Sequence, residues 1–277
     1  GSLVHDGAEW RWTPEPGRHA PLIRPTRPGS LPPFIESLLP EGWLAEILDD
    51  RDERETLRTG RRYMSNMTIV DRSIDLETVT KDVLQGRLAN FLKDGLFTGR
   101  YRGPTGKSFN DTFAHNLARM FESQNTPRLS GVQIKAPMCL HEDGSLVSAA
   151  TEPFTHILKP AGTGGFEPLP IVEWICLTLA RAVGFETPEA ALIRMPDDMP
   201  PALLVERFDI RRSNNDSRCM ALEDFCSILE LPAERKYAGT IERMARGLRP
   251  LSTASEEDLE ILFKRALFAW LVADGDM

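Results

Sequence analysis

The feature that most limits the fold is a change of hydrophobic period along the chain. Residues 128–160 carry short alternating or β-branched runs, "SGVQIKAPMCL", "SLVS" and "THILKP", broken by the turn sequence "HEDG". Runs of that length read as antiparallel strands joined by tight turns. "IVEWICLTLARAVG" then switches to a helical pattern, with Gly184 placed as its stop. "EAALIRM" and "ALLVERFDIRR" flank "PDDMPP" and read as a hairpin. After the polar turn "RRSNNDSR" the pattern reads as helical to 277. The order is strands, a helix, a hairpin and an all-helical part, which predicts an α+β fold in two lobes.

Residues 1–33 contain "EWRWTPEPG" and "IRPTRPGSLPP". No long helix survives so many prolines, so short strands and extended loop are expected. "PPFIESLLPEGWLAEIL" predicts a helix from Pro33 to Leu39, a Pro-Glu-Gly break and a second helix. "RYMSNMTIVD" reads as a strand-like turn. Leu76, Val79, Val83, Leu84, Leu88 and Leu92 then fall at helical spacing, and 111–122 predicts another amphipathic helix. The expected division is a small α/β subdomain over 1–100, a region over 101–210 that carries strands and one helix, and a helical region over 211–277.

With 277 residues, 41% of them hydrophobic, the chain can bury a substantial core. A net charge of −8 gives no global attraction for nucleic acid or anionic membrane, so neither is expected as a direct partner. The longest apolar run, Ala266–Ala273, is too short to span a bilayer. Four cysteines without a CxxC pair read as reduced thiols, mostly buried, and a cytoplasmic location is expected.

Two glycine-rich stretches imitate phosphate loops. "GPTGKS" (103–108) ends like a P-loop, but Tyr101 stands where the first glycine is required, and no buried strand is expected before it. "GTGG" (162–165) has no helix start directly after it. "LSGVQIK" is more informative: Ser130-Gly131 lets backbone N–H groups approach phosphate oxygens, and Lys135 adds a cation. A plain hairpin glycine explains the same letters.

Lys159 ends an apolar strand just before Pro160. Glu173 is the one acid on a following helix that is apolar on most sides. Such a helix is expected to be buried, and a buried carboxylate needs a partner, with Lys159 the natural one. The pair reads either as a structural ion pair or as the strand-lysine and helix-glutamate that hold ATP α- and β-phosphates in kinases. The backbone from Glu206 to Phe208 could read an adenine ring at an exposed strand edge, or could be an ordinary strand end. In "LEILFKRALFAWLVADGDM" a helix grows more apolar toward Trp270 and then delivers Asp274 and Asp276. A helix buried at that end would put these acids in a cleft, where a catalytic base belongs; a plain turn also fits.

Taken in order, "LSGVQIK", "THILKP", "VEWICLTLA", "ALLVERFD" and "FAWLVADGDM" resemble the HipA family of bacterial serine/threonine kinases, the toxins of HipA–HipB toxin–antitoxin pairs. "LLPEGWL" and "RYMSNMTIV" resemble that family's N-terminal subdomain. The resemblance implies a two-lobed protein-kinase-like fold whose C-terminal lobe is all-helical and incomplete. It implies that Ser130, Gly131, Val132, Gln133 and Lys135 contact ATP, that Lys159 holds phosphates with Glu173 as its helix partner, and that Glu206, Arg207 and Phe208 form the adenine hinge. Asp276 matches the catalytic Asp of a D-x-H-x-K-N loop whose remaining residues, with the Mg²⁺ ligands, are expected beyond Met277. The implied activity is transfer of the ATP γ-phosphoryl group to a protein hydroxyl, on targets such as an aminoacyl-tRNA synthetase, with a HipB-like DNA-binding antitoxin as partner. A non-catalytic antitoxin-binding module is the alternative. One departure concerns Arg128, which stands where the family often carries an autophosphorylated serine.

Overall fold

The computed structural model describes residues 1–16, 28–48, 53–59, 61–106, 113–162, 165–213, 216–232 and 235–274. In chain order its elements begin with strands β1 (Ser2–His5) and β2 (Trp10–Thr13), then helices α1 (Pro33–Glu36), α2 (Gly42–Ile47) and α3 (Glu53–Thr59). Strands β3 (Leu92–Lys93), β4 (Leu96–Phe97) and β5 (Arg100–Arg102) precede helix α4 (Ala114–Met120). Strands β6 (Ala136–Leu140), β7 (Ser145–Ser148) and β8 (His156–Lys159) lead to α5 (Leu169–Ala182). Four more strands follow: β9 (Ala190–Ile193), β10 (Ala202–Glu206), β11 (Ile210–Ser213) and β12 (Asp216–Cys219). Helices α6 (Phe225–Ile228), α7 (Ile241–Leu248) and α8 (Ser255–Leu271) complete the list. The chain divides into two compact units, residues 40–222 and residues 1–39 with 223–277.

The unit 40–222 is organised by an eight-stranded sheet of order β3-β4-β9-β10-β8-β6-β7-β5. The strands expected over 128–160 and the hairpin expected around "PDDMPP" form its centre. β6 pairs antiparallel with β7 and β8, and β10 with β8 and β9. β4–β9 and β5–β7 are parallel. Every residue of β6 is buried, as a central strand covered on both faces requires. Phe113, Leu117 and Phe121 recur every four residues along one side of α4, so they share a face. All three are buried and join Met138, Leu140, Leu146, Leu158 and Leu204 in one apolar core. Each such side chain contributes about 1.5–3 kcal/mol of transfer free energy.

Three expectations are corrected here. The helix predicted over residues 76–92 is absent: two short 3-10 turns, Leu76–Thr78 and Leu88–Phe91, are separated by extended chain. Tertiary bonds outweigh the periodicity there, because Asp82 accepts from two arginines and Gly86 N–H donates to the Leu140 carbonyl. The "LKDGLF" stretch is a hairpin, β3–β4, turning on Asp94 (φ 51°) and Gly95 (φ 78°). That Asp-Gly pair between apolar residues is a strong hairpin signal, which the helical reading passed over. Finally, the region after residue 210 is not all-helical, because "IRRS" and "DSRC" pair as the β11–β12 ladder.

In the other unit β1 and β2 form the short antiparallel ladder expected of the proline-rich start. α1 packs on α6, α6 on α7, and α7 on α8. Asp224 and Thr240 cap α6 and α7 by accepting from Ser227 N–H and Arg243 N–H. α8 was expected to be buried toward its C-terminal end. Instead Trp270 and Leu271 are exposed, while Leu262 and Ala269 are its buried residues. Among the described residues no helix is long and apolar enough to cross a membrane.

Candidate functional site

Lys159 owes its position to β8, which lies between β10 and β6. His156 and Leu158 on that strand are buried, while Ile157 and Lys159 alternate onto the more open face. Pro168 and Pro170 bracket the start of α5, which packs against β9 and β10 and carries Glu173 in its second turn. Lys159 Nζ donates to Glu173 Oε1 at 2.5 Å. The two groups expected to pair therefore do so. Their surroundings differ from expectation: the side chains retain 24% and 28% exposure, and Val172, Ile175, Leu179 and Val183 of the same helix segment are open. An ion pair this accessible is screened and contributes at most about 1 kcal/mol to stability.

The 130–135 loop is held from two sides. Ser130 Oγ donates to Glu41 Oε1 at 2.9 Å, and Lys135 Nζ donates back to the Ser130 carbonyl at 2.8 Å. Gly131 between them has φ 103°, a conformation that side chains resist. A Cβ there would come within 2.2 Å of Lys135 Nζ, so the absent side chain is what lets the ammonium fold across the loop. Val132 and Gln133 are exposed. Glu41 was not foreseen as a contributor, since it stands far away in sequence with only its polarity to mark it.

At the end of β10 the side chains have structural partners. Glu206 accepts from Arg87 Nε at 2.8 Å and from Leu88 N–H at 2.7 Å. Its own N–H donates to the Glu189 carbonyl, and Arg207 N–H donates to the Thr155 carbonyl. The Arg207 guanidinium is fully buried against Asp209, Asp82, the Phe154 carbonyl and the Phe154 ring. Burial alone would lower its pKa, but the Asp209 and Asp82 carboxylates more than reverse that and hold it charged. The Arg207 side chain is thus part of a buried network within the fold. Phe208 is 61% exposed at the strand's end.

Beneath this edge His156 is buried, with Nδ1 beside Thr155 Oγ1 at 2.8 Å and Nε2 3.7 Å from Glu206 Oε2. Burial, helped by the Arg87 charge, lowers its pKa to about 3, so it is neutral. Arg128, at the position of the family's serine, is buried and donates to the Phe121 carbonyl. The P-loop imitation does follow a strand, β5, but that strand is at the sheet edge and Tyr101 Oη donates to the Pro104 carbonyl. Lys107 and Ser108 lie outside the described residues, as do Asp276 and the middle of "GTGG". Asp274 closes α8, its N–H donating to the Ala269 carbonyl.

Strands β6 to β10, the Lys159–Glu173 pair and the 130–135 loop lie in the stretch that decides the affiliation. A family model described as the HipA-like C-terminal domain matches residues 128–277. The chain belongs to the HipA family. Its matched stretch takes in β6 to β10 of the large sheet and the β11–β12 ladder as well as helices, so the C-terminal part of this HipA-family chain is not all-helical. Y4mE of Sinorhizobium fredii (strain NBRC 101917 / NGR234), which is named as a kinase, is 31% identical over 153 residues. That match covers 53% of this chain and 36% of Y4mE. Among solved structures, HipA of Shewanella oneidensis MR-1, in complex with HipB and its operator DNA, superposes with a TM-score of 0.57 at 18% identity. The superposition covers 93% of this chain and 61% of the Shewanella chain, and shows a shared fold.

Proposed function

We propose that this HipA-family chain is the nucleotide-binding part of a serine/threonine protein kinase that transfers the ATP γ-phosphoryl group to a protein hydroxyl. The observation that carries the reading is the Lys159–Glu173 contact between β8 and α5, about a quarter open to solvent. A structural ion pair needs no such access, whereas a phosphate-holding lysine does.

The residues present fit a nucleotide triphosphate. Lys159 would hold the α- and β-phosphates, with Glu173 fixing the direction of its ammonium. The Ser130–Lys135 loop would cover the phosphates, its positive-φ Gly131 allowing close backbone approach and Lys135 adding charge. Adenine would meet the backbone between Glu206 and Phe208. Bound ATP supplies the phosphoryl group, and Mg²⁺ neutralises charge on its β- and γ-phosphates. Asp276 is proposed to orient the substrate hydroxyl and accept its proton. Magnesium requires oxygen ligands. The sulfur and nitrogen donors that gather at Cys139 and His141 do not suit it.

A HipB-like antitoxin is the proposed partner, supported by the HipB complex of the Shewanella relative. It would supply the DNA contact that a chain of net charge −8 does not favour. The deciding experiment is calorimetric titration with MgATP together with transfer of labelled γ-phosphate. It compares the chain with Lys159→Ala and Glu173→Gln. A loss of affinity of tenfold or more in the lysine variant, about 1.4 kcal/mol, is expected. Binding unchanged in both variants would leave the pair as a structural ion pair and remove the reading.

A further inference from the structure

At the far end of β6 from the nucleotide loop, three side chains converge that the kinase reading leaves unused. Cys139, His141 and Glu152 bring a sulfur, an imidazole nitrogen and a carboxylate oxygen within 4.8 Å of one another. We infer that Cys139, His141 and Glu152 form a zinc site, with a fourth position left for water or a substrate group.

Strand geometry makes the cluster. Cys139 and His141 are two residues apart, so they leave the strand on the same side as it enters the β6–β7 turn. The turn is fixed by His141 N–H donating to the Ser145 carbonyl and Gly144 N–H donating to the His141 carbonyl. Glu152 comes from the connection between β7 and β8. Its backbone carbonyl is held by Arg62 Nη2 at 3.0 Å, which anchors the residue while leaving the carboxylate free to swing.

The chemistry of the set selects the ion. One thiolate, one neutral imidazole and one carboxylate carry two negative charges, which Zn²⁺ balances. Sulfur and imidazole donors favour zinc over magnesium or calcium. Bond lengths of about 2.0–2.3 Å to zinc place neighbouring ligand atoms roughly 3.5 Å apart. His141 Nε2 and Glu152 Oε2 already stand 4.0 Å apart, with side chains 31% and 40% exposed. Closing the site therefore takes rotamer adjustment of two partly exposed side chains around a buried cysteine.

The Glu152 and Asp82 carboxylates both act on the Cys139 sulfur, and such negative surroundings attract a cation. His141 and Glu152 are partly exposed, so their ligand atoms are reachable from solvent, and His141 also lines an open cleft of about 620 Å³ with Gln85, Arg102, Asp143 and Ser145. Lys135 lies four residues back along the chain, about 13 Å at strand rise. Binding here is thus separable from binding at the nucleotide loop.

The test uses the full chain, stripped with a chelator and titrated with Zn²⁺ or Co²⁺. One zinc per chain is expected, with release of about one proton from the Cys139 thiol as the Zn–S bond forms. Cobalt should give a thiolate charge-transfer band in the near ultraviolet and tetrahedral bands in the visible. Cys139→Ser should abolish the charge-transfer band, while Cys176→Ser, at a cysteine outside the cluster, keeps it. Because Cys139 is buried, His141→Ala and Glu152→Gln provide variants with less risk to folding, each expected to weaken cobalt affinity roughly tenfold or more. No charge-transfer band in the unaltered chain, or a band that survives Cys139→Ser, would overturn the site. So would unchanged affinity in both partly exposed variants.

Discussion

Arg207 and Asp209 face each other in a two-pronged contact, Nε to Oδ1 at 2.9 Å and Nη2 to Oδ2 at 2.6 Å, with neither side chain exposed. Asp82 extends this pair: one carboxylate oxygen takes Arg207 Nη1 at 2.8 Å, the other takes Arg62 Nη2. Three stretches distant in sequence are joined through one carboxylate. The network fixes the end of β10, and with it the Glu206–Phe208 backbone proposed to meet adenine.

Removing Asp82 should therefore be costly. Asp82→Ala leaves two buried guanidinium groups short of an acceptor, and breaking a buried pair from one side costs about 3–5 kcal/mol. Lys81→Ala next to it removes only an exposed i,i+4 partner of Glu77 and should cost less than about 0.5 kcal/mol. Urea unfolding of both variants checks this. Similar midpoints for the two would show that the arginines find other acceptors.

Much of this was legible in sequence, and the failures share a cause. Lys159 and Glu173 pair as expected because each stood alone as a charge on an apolar pattern. Strands β6 to β10 follow directly from alternation and turn residues. The segment 76–92 misled because helical spacing is a local signal. Asp82 is drawn out of it by arginines 20 and 125 residues away. The exposure of α5 and α8 was equally hidden, since an apolar helix predicts a covering surface without saying which residues supply it. Arg207 is a related case: its place in the expected hinge says nothing of its side chain, whose guanidinium is bound within the fold by Asp82, Asp209 and the Phe154 carbonyl.

His156 makes stability depend on pH. Its folded pKa is about 3 against 6.5 for the ordinary group, so below pH 6.5 the unfolded chain takes up a proton that the folded chain refuses. This contribution is fully present above pH 6.5 and is lost as pH falls toward 3, by about 1.4 kcal/mol per pH unit. In His156→Gln the slope across pH 6 to 4.5 should be shallower than in the parent by about that amount. Denaturant midpoints across that range measure it; parallel curves would mean that His156 ionises in place.

Lys107 should be indifferent to nucleotide. Tyr101 stands in place of the required glycine, and β5 before it is an edge strand, not the central strand a P-loop needs. Lys107→Ala should leave MgATP affinity unchanged, while Lys159→Ala lowers it. A tenfold loss at Lys107, about 1.4 kcal/mol, would move the phosphate site to the 103–108 loop.

Gly131 offers the sharpest separation of loop geometry from loop charge. In Gly131→Ala the backbone must keep φ near 103° with a side chain present, at a cost of about 1–3 kcal/mol, or rearrange. The new methyl group would also meet Lys135 Nζ at 2.2 Å, so the ammonium must leave the Ser130 carbonyl. If the ammonium and the loop backbone hold phosphate together, Gly131→Ala and Lys135→Ala should each weaken MgATP binding. Combined, they should weaken it by less than the sum, because the first already displaces the second. Additive losses would mean that the glycine acts through the backbone alone. Unchanged affinity in Gly131→Ala, with its melting temperature lowered, would make the loop a structural turn and leave Lys159 to hold the phosphates without it.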